Sequence, residues 1–341
     1  MSTTTTASPL LGRPGAVEGE GVDAGVAAHY GDPVREQRLL AEGLAAVDLS
    51  HRSVVTVAGP DRLSWLHSMT TQALDGLAPL VSRETLVLSP KGHVEHALHL
   101  VDDGETTWLS LEPGTAGALV AWLESMRFML RVEVADVTSS YAVLGEPVAA
   151  EAAEGEPVAW VDPWPGLVGD TTAYGPVEGH PAEGRAWREL IVPRADLESA
   201  LGDRPLAGMW AAEALRVVAW RPRWGFETDH RTIPHEVDWL RTSVHLHKGC
   251  YRGQETVARV HNLGRPPRRL AFLHLDGSGH VLPDQGSPVS SSGKEVGRVT
   301  TVARHFEDGP VALAVIKRNT PGDADLLVDG IAGAQTVVVT A

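Results

Sequence analysis

A single cysteine, Cys250, stands among 341 residues. No intramolecular disulfide can form, so the fold must be held by apolar burial, and the cysteine usage suits a reducing compartment. One thiolate also falls short of the four that usually hold an iron–sulfur cluster. The length is enough to bury a sizeable core and predicts two or three domains. A formal charge of −15, from 29 basic and 44 acidic residues, argues against broad nonspecific nucleic-acid binding, which needs a phosphate-neutralising surface. No apolar run approaches the ~20 residues of a membrane span. The N-terminus lacks the cationic-then-apolar order of a signal peptide. These features predict a cytoplasmic protein with no direct nucleic-acid or membrane partner.

The cysteine lies in Lys248-Gly249-Cys250-Tyr251-Arg252-Gly253-Gln254-Glu255-Thr256-Val257-Ala258-Arg259. Glycine on both sides marks backbone that turns sharply or approaches something closely. Residues 254–260 predict a short helix with Val257 and Val260 on one side, and Glu255 and Arg259 are four apart along it. A helix starting near Gly253 points its free N–H groups and positive dipole end at Cys250, and Lys248 adds a cation, both favouring thiolate. The plain alternative is that Cys250 packs as a small buried hydrophobe.

Before this stretch, residues 1–28 are rich in Thr, Gly, Ala and Glu and predict a disordered tail. Residues 35–47 have helical composition, followed by a strand through Val54, Val55 and Val57 and a helix behind Pro60. Strands at 85–88, 94–101 and 107–111, a helix capped by Thr115, and a strand through Val132 and Val134 complete an α+β unit of ferredoxin-like type. Residues 143–188 are loose and proline-bearing. Helices follow at 194–201 and 209–220, the second stopped by Pro222. His230, His235, Asp229 and Asp238 match no familiar zinc spacing, so no metal is expected. Pro266-Pro267 marks a boundary. Short strands at 270–275, 296–302, 311–316, 326–328 and 336–339 predict a small barrel or sandwich.

The run Lys248, Gly249, Cys250, Tyr251, Gly253, Gln254 and Glu255 fills every fixed position of Lys-Gly-Cys-Tyr-x-Gly-Gln-Glu. In this it resembles the YgfZ-type folate-binding proteins, relatives of the glycine-cleavage T-protein, an aminomethyltransferase. The likeness runs in order from about Tyr30 to the end, through Ala45 to Ser50, Val57 to Asp61, Thr71, Leu215-Arg216, Ile233 to Glu236, Gly286 to Val289 and Gly297 to Thr300. It implies an α+β fold of three domains in a ring around a folate-sized hole. Residues 29–57 with 142–262 would form the first, folate-binding domain, 58–141 a second α+β domain resembling it, and 263–341 a β-barrel.

The resemblance also implies tetrahydrofolate, or another folate, as cofactor and iron–sulfur client or assembly proteins as partners. Cys250 would be the reactive thiol aided by Lys248, with Gly249, Tyr251, Gly253, Gln254, Glu255 and Arg259 shaping the site. Folate contacts would come from Arg216 and from Trp210 and Trp220, which either stack on the pterin or pack in the core. Arg265, Arg268 and Arg269 either meet the glutamate tail or belong to a solvated linker. Two departures stand out. Lys91-Gly92-His93-Val94-Glu95-His96 lacks the T-protein's catalytic Asp, with Glu95 a conceivable substitute, and Val218 replaces the Glu that reads the pterin. Three functions follow: a folate-dependent helper in iron–sulfur cluster assembly or repair, affecting tRNA modification through such enzymes; a tetrahydrofolate-dependent aminomethyl or one-carbon transferase; or a noncatalytic folate-binding module.

Overall fold

A computed structural model describes residues 7–153 and 155–340. The chain begins with a small ribbon, β1 (Val17–Glu18) on β2 (Ala27–His29), then α1 (Pro33–Ala41) and β3 (Ala46–Asp48). Next come β4 (Ser53–Ala58), α2 (Arg62–Met69), β5 (Ser82–Leu88), β6 (Val94–Asp102), β7 (Thr106–Leu111), α3 (Ala116–Met126) and β8 (Glu133–Asp136). The path continues through β9 (Tyr141–Glu146), β10 (Val158–Val161), β11 (Arg188–Pro193), α4 (Leu197–Leu201), β12 (Leu206–Ala207) and α5 (Met209–Val218). Two helices, α6 (Leu240–Ser243) and α7 (Gln254–Leu263), lead into β13 (Arg268–Leu275), β14 (Pro288–Ser291), β15 (Lys294–His305), β16 (Gly309–Lys317), β17 (Leu326–Val328) and β18 (Ile331–Val337).

These strands build three main units. The first sheet runs β10-β11-β9-β3-β12 and the second β5-β6-β7-β4-β8; the last six strands close a barrel, β13-β16-β15-β14-β17-β18. The α+β class with a C-terminal barrel is therefore the observed architecture. Each unit has its own apolar core: Val55, Leu66, Leu100, Leu109 and Leu119 in the second, Val47, Val143 and Ile191 in the first, and Leu273, Val299, Ala314 and Ile316 in the barrel. Fully burying one such aliphatic side chain contributes roughly 1.5–3 kcal/mol before entropic costs.

Three sequence expectations change. Residues 7–28 are not a disordered tail: Leu10 packs beside Leu144 and Leu190 on one side of the first sheet, and Val26 joins Val47 and Ile191 on the other. Two anchored apolar residues hold a segment whose composition reads as polar; residues 1–6 lie outside the described residues. Helix α1 stops at Ala41, where Gly43 turns with φ 80 and Leu44 is exposed, and 46–48 becomes a strand. Strand β4 pairs with β7 and β8, so the junction between the first two units falls before Ser53 rather than at 57/58. In the second sheet β7 lies between β6 and β4.

Candidate functional site

Strand alternation places residues of one cross-strand row on one face. On the second sheet that row is Glu84 on β5, His99 on β6 and Ser110 on β7, with Glu84 opposite His99 and His99 opposite Ser110. On the first sheet Trp160 of β10 lies opposite Glu189 of β11. The two rows meet across a cavity of about 490 Å³ that also borders α5 and residues 221–224. Its aromatic walls are Trp160, Trp187, Trp224 and Trp239. Trp187 needs Gly145 beneath it, since a Cβ there would come within 2.6 Å of the indole.

The polar wall is an alternating chain of charges. Arg52 donates to Ser110 Oγ at 2.8 Å and to Glu112 at 3.4 Å, and its Nε lies 3.6 Å from Glu189. Glu189 contacts His99 Nδ1 at 3.0 Å, and the His99 ring stacks on Trp160 with centroids 3.6 Å apart. Burial alone would raise the Glu189 carboxyl, but Arg52 and His99 outweigh it and hold it well below the usual range. Arg223 bridges Glu112 at 3.0 Å and Asp23 at 2.7 Å, and Asp23 comes from the N-terminal segment. Burial likewise opposes ionisation of Asp23, and His51 and Arg223 reverse that effect. Arg221 spans Glu84 and Asp162, and Arg216 spans Glu213 and Glu227. Five guanidinium groups thus line the cavity, Arg185 among them. Such pairing offsets the desolvation cost of each charge, and removing one partner strands the other.

The cysteine motif lies elsewhere: none of Lys248 to Arg259 lines the cavity. Cys250 is exposed on a loop that ends where Gly253, at φ 84, caps α7. Gly253 is required there because a Cβ would sit 2.6 Å from the Ser89 carbonyl oxygen. Gly92 packs back from the β5–β6 turn, where a Cβ would meet Thr256 at 2.7 Å. Gln254 Oε1 accepts from the Tyr251 N–H at 2.9 Å, and Tyr251 packs with Leu88, Val94 and Val257. The ammonium of Lys248 donates to the carbonyl oxygens of His67, Thr70 and Gln72. Those three bonds use all its protons, so Lys248 anchors the loop rather than donating to the sulfur. Burial pulls its pKa down to about 8. Glu255 and Arg259 are exposed on α7, and Gly249 has open space around it.

Several of the expected folate contacts lie outside this cavity. Arg216 lines the cavity, but Trp210 does not: it is 56% exposed and rests on His29. Trp220 lies beyond the end of α5 at φ 53 and packs against Phe272 of the barrel and His180. Arg268 is held by Asp229 and Glu236, and Arg269 by Thr320 and Gln335, so these two form no open anion cradle. Arg265 is exposed away from the cavity. Glu95 pairs with Arg252 at 3.1 Å, tying the β5–β6 hairpin to the cysteine loop rather than entering the cavity. Sequence reasoning missed Arg52, His99, Glu112, Glu189, Arg221 and Arg223. The available signal was charge inside otherwise apolar strands, as at Glu84 and Glu189.

No family model matches the chain. A chloroplastic protein of Arabidopsis thaliana, named as a transferase, is 25% identical over 285 residues, covering 76% of this chain. The match spans 62% of that relative's length, less than two thirds. An aminomethyltransferase of Symbiobacterium thermophilum is 26% identical over 307 residues, with 80% of this chain and 78% of the relative covered. One from Moorella thermoacetica is 26% identical over 353 residues, with 95% and 93% covered. The crystal structure of glycine cleavage system aminomethyltransferase T from Bartonella henselae superimposes with a TM-score of 0.74 at 19% identity, covering 97% of this chain and 95% of that one. With its two α+β units, closed barrel and near-complete overlap, the chain shares the fold of that aminomethyltransferase.

Proposed function

We propose that this protein is a YgfZ-type folate-binding accessory factor for iron–sulfur cluster assembly or repair in the cytoplasm. On this reading it affects tRNA modification through the enzymes it serves. The observation that carries the reading is the seven-position motif, which forms a glycine-hinged loop exposing the chain's solitary thiol on an aminomethyltransferase fold. Cys250 would act toward an iron–sulfur client or assembly protein, with Lys248 and Gly253 holding the loop in place.

The cavity's chemistry fits a reduced folate. About 490 Å³ lies within the usual span of small-molecule sites. Tryptophans on several sides suit a flat heteroaromatic ring. Tetrahydrofolate would supply a one-carbon carrier there, and this chain's residues would bind and orient it.

A one-carbon transferase reading draws support from the relatives named aminomethyltransferases. Against it stand Val218 in the pterin-reading position and Glu95, which is engaged by Arg252 outside the cavity. Two measurements separate the readings. Cys250→Ala should abolish rescue of an iron–sulfur enzyme in a strain lacking the protein, while tetrahydrofolate binding persists. Full rescue by Cys250→Ala removes the thiol from the function. Formaldehyde transfer to tetrahydrofolate that depends on Glu95 supports the transferase instead.

A further inference from the structure

His99 projects from β6, and the first sheet reaches its imidazole from two directions. Glu189 of β11 meets Nδ1 at 3.0 Å. Trp160, cross-strand neighbour of Glu189 on β10, covers one ring face with 5° between planes. Arg52 Nη2 also lies 3.3 Å from Nδ1. One nitrogen of a neutral imidazole cannot satisfy both: a proton on Nδ1 bonds Glu189, whereas a lone pair accepts from Arg52. The Glu189 contact is shorter and sets a donor against a carboxylate, which makes it the stronger bond. Arg52 keeps Ser110 and Glu112 as partners in either case. A neutral ring with its proton on Nδ1 carries a lone pair on Nε2. That nitrogen makes no hydrogen bond among the described residues and is not among the sealed, unpartnered atoms. His99 itself lines the cavity.

We infer that His99 Nε2 is the proton-accepting site of the cavity, oriented by Glu189 and Trp160, for a heteroaromatic ligand that presents an N–H. In the transfer the ligand's N–H bond breaks and its electron pair stays on the ligand nitrogen. The Nε2–H bond forms, and the imidazolium charge faces the Glu189 carboxylate; the reverse transfer restores both partners. Short of transfer, the same contact is a hydrogen bond from the ligand N–H to Nε2. That contact reads a donor edge, a task Val218 cannot perform. The folate reading enters only in naming the ligand; the state of the imidazole does not depend on it.

The test has two arms. Nitrogen-15 NMR of histidine-labelled protein, assigned with His99→Asn, should show the Nδ1–H tautomer at mildly alkaline pH; an Nε2–H tautomer overturns the inference without any ligand. Calorimetry should then compare tetrahydrofolate binding by wild type and by His99→Asn, whose amide N–H keeps the bond to Glu189. Affinity should fall roughly 5- to 150-fold, the cost of an unmet buried donor, and buffer-dependent proton exchange should disappear. Unchanged affinity and proton exchange overturn the inference. If wild type shows the Nδ1–H tautomer but binds no tetrahydrofolate, the folate reading fails separately. Diethyl pyrocarbonate then decides: modification of His99 upholds the accessible Nε2, and protection overturns it.

Discussion

The two glycines flanking the thiol make a paired test of why the motif has its shape. At Gly253 the backbone is left-handed, with φ 84, and an added Cβ would lie 2.6 Å from the Ser89 carbonyl oxygen and 3.0 Å from the Gly92 Cα. A left-handed L-residue costs roughly 1–2 kcal/mol. Forcing a methyl into packed backbone costs about 1–3 kcal/mol more, because neither neighbour is the free end of a flexible side chain. Gly253→Ala should therefore destabilise the chain by on the order of 2–5 kcal/mol. At Gly249 no atom lies within 4 Å of the added Cβ and φ is not in the left-handed region. Gly249→Ala should be neutral or about 0.4–1 kcal/mol stabilising, through a less flexible unfolded chain. Urea unfolding followed by tryptophan fluorescence measures both. A Gly253→Ala variant within about 0.5 kcal/mol of wild type, or a Gly249→Ala variant equally damaged, would refute the reasoning.

Three further predictions follow the same contacts. Glu227 is fully buried and accepts from Arg216, the Arg223 N–H, Thr300 and Thr301, joining the α5 region to the barrel. Glu227→Ala removes one of the two carboxylates on Arg216 and leaves the Arg223 N–H without its acceptor, which should cost about 3–5 kcal/mol in the same unfolding assay. His235 is fully buried, and burial lowers its pKa from 6.5 to about 4. The unfolded chain thus binds more protons between those values, so stability falls as pH falls through that window. The loss is on the order of 3 kcal/mol at most, and His235→Phe should flatten that slope. Because Cys250 is exposed, a thiol reagent should titrate one rapidly reacting group per folded chain, and Cys250→Ala should change stability by less than about 0.5 kcal/mol.

Much of the local structure was legible from sequence because its signals are local. The helix stop at Pro222, the helix beginning after Gly253, the strands β6 and β7 and the turn-separated strands of the barrel all come from neighbours in the chain. Helix α1 was overrun because Leu44 continues the apolar spacing, while Gly43 permits the turn that ends it.

By itself, the sequence determined a disulfide-free α+β chain with a terminal barrel and one thiol on a glycine-hinged loop. Only the tertiary structure decided that this loop and the cavity are separate places. It brought Asp23 to Arg223, Arg52 to Glu112 and His99 to Glu189, pairs whose members lie 200, 60 and 90 residues apart. It also drew Lys248 away from the sulfur and onto three carbonyls of residues 67–72. The physical reason is that a charge removed from water must find its counter-charge wherever packing of whole sheets puts one, and chain spacing carries no record of that choice.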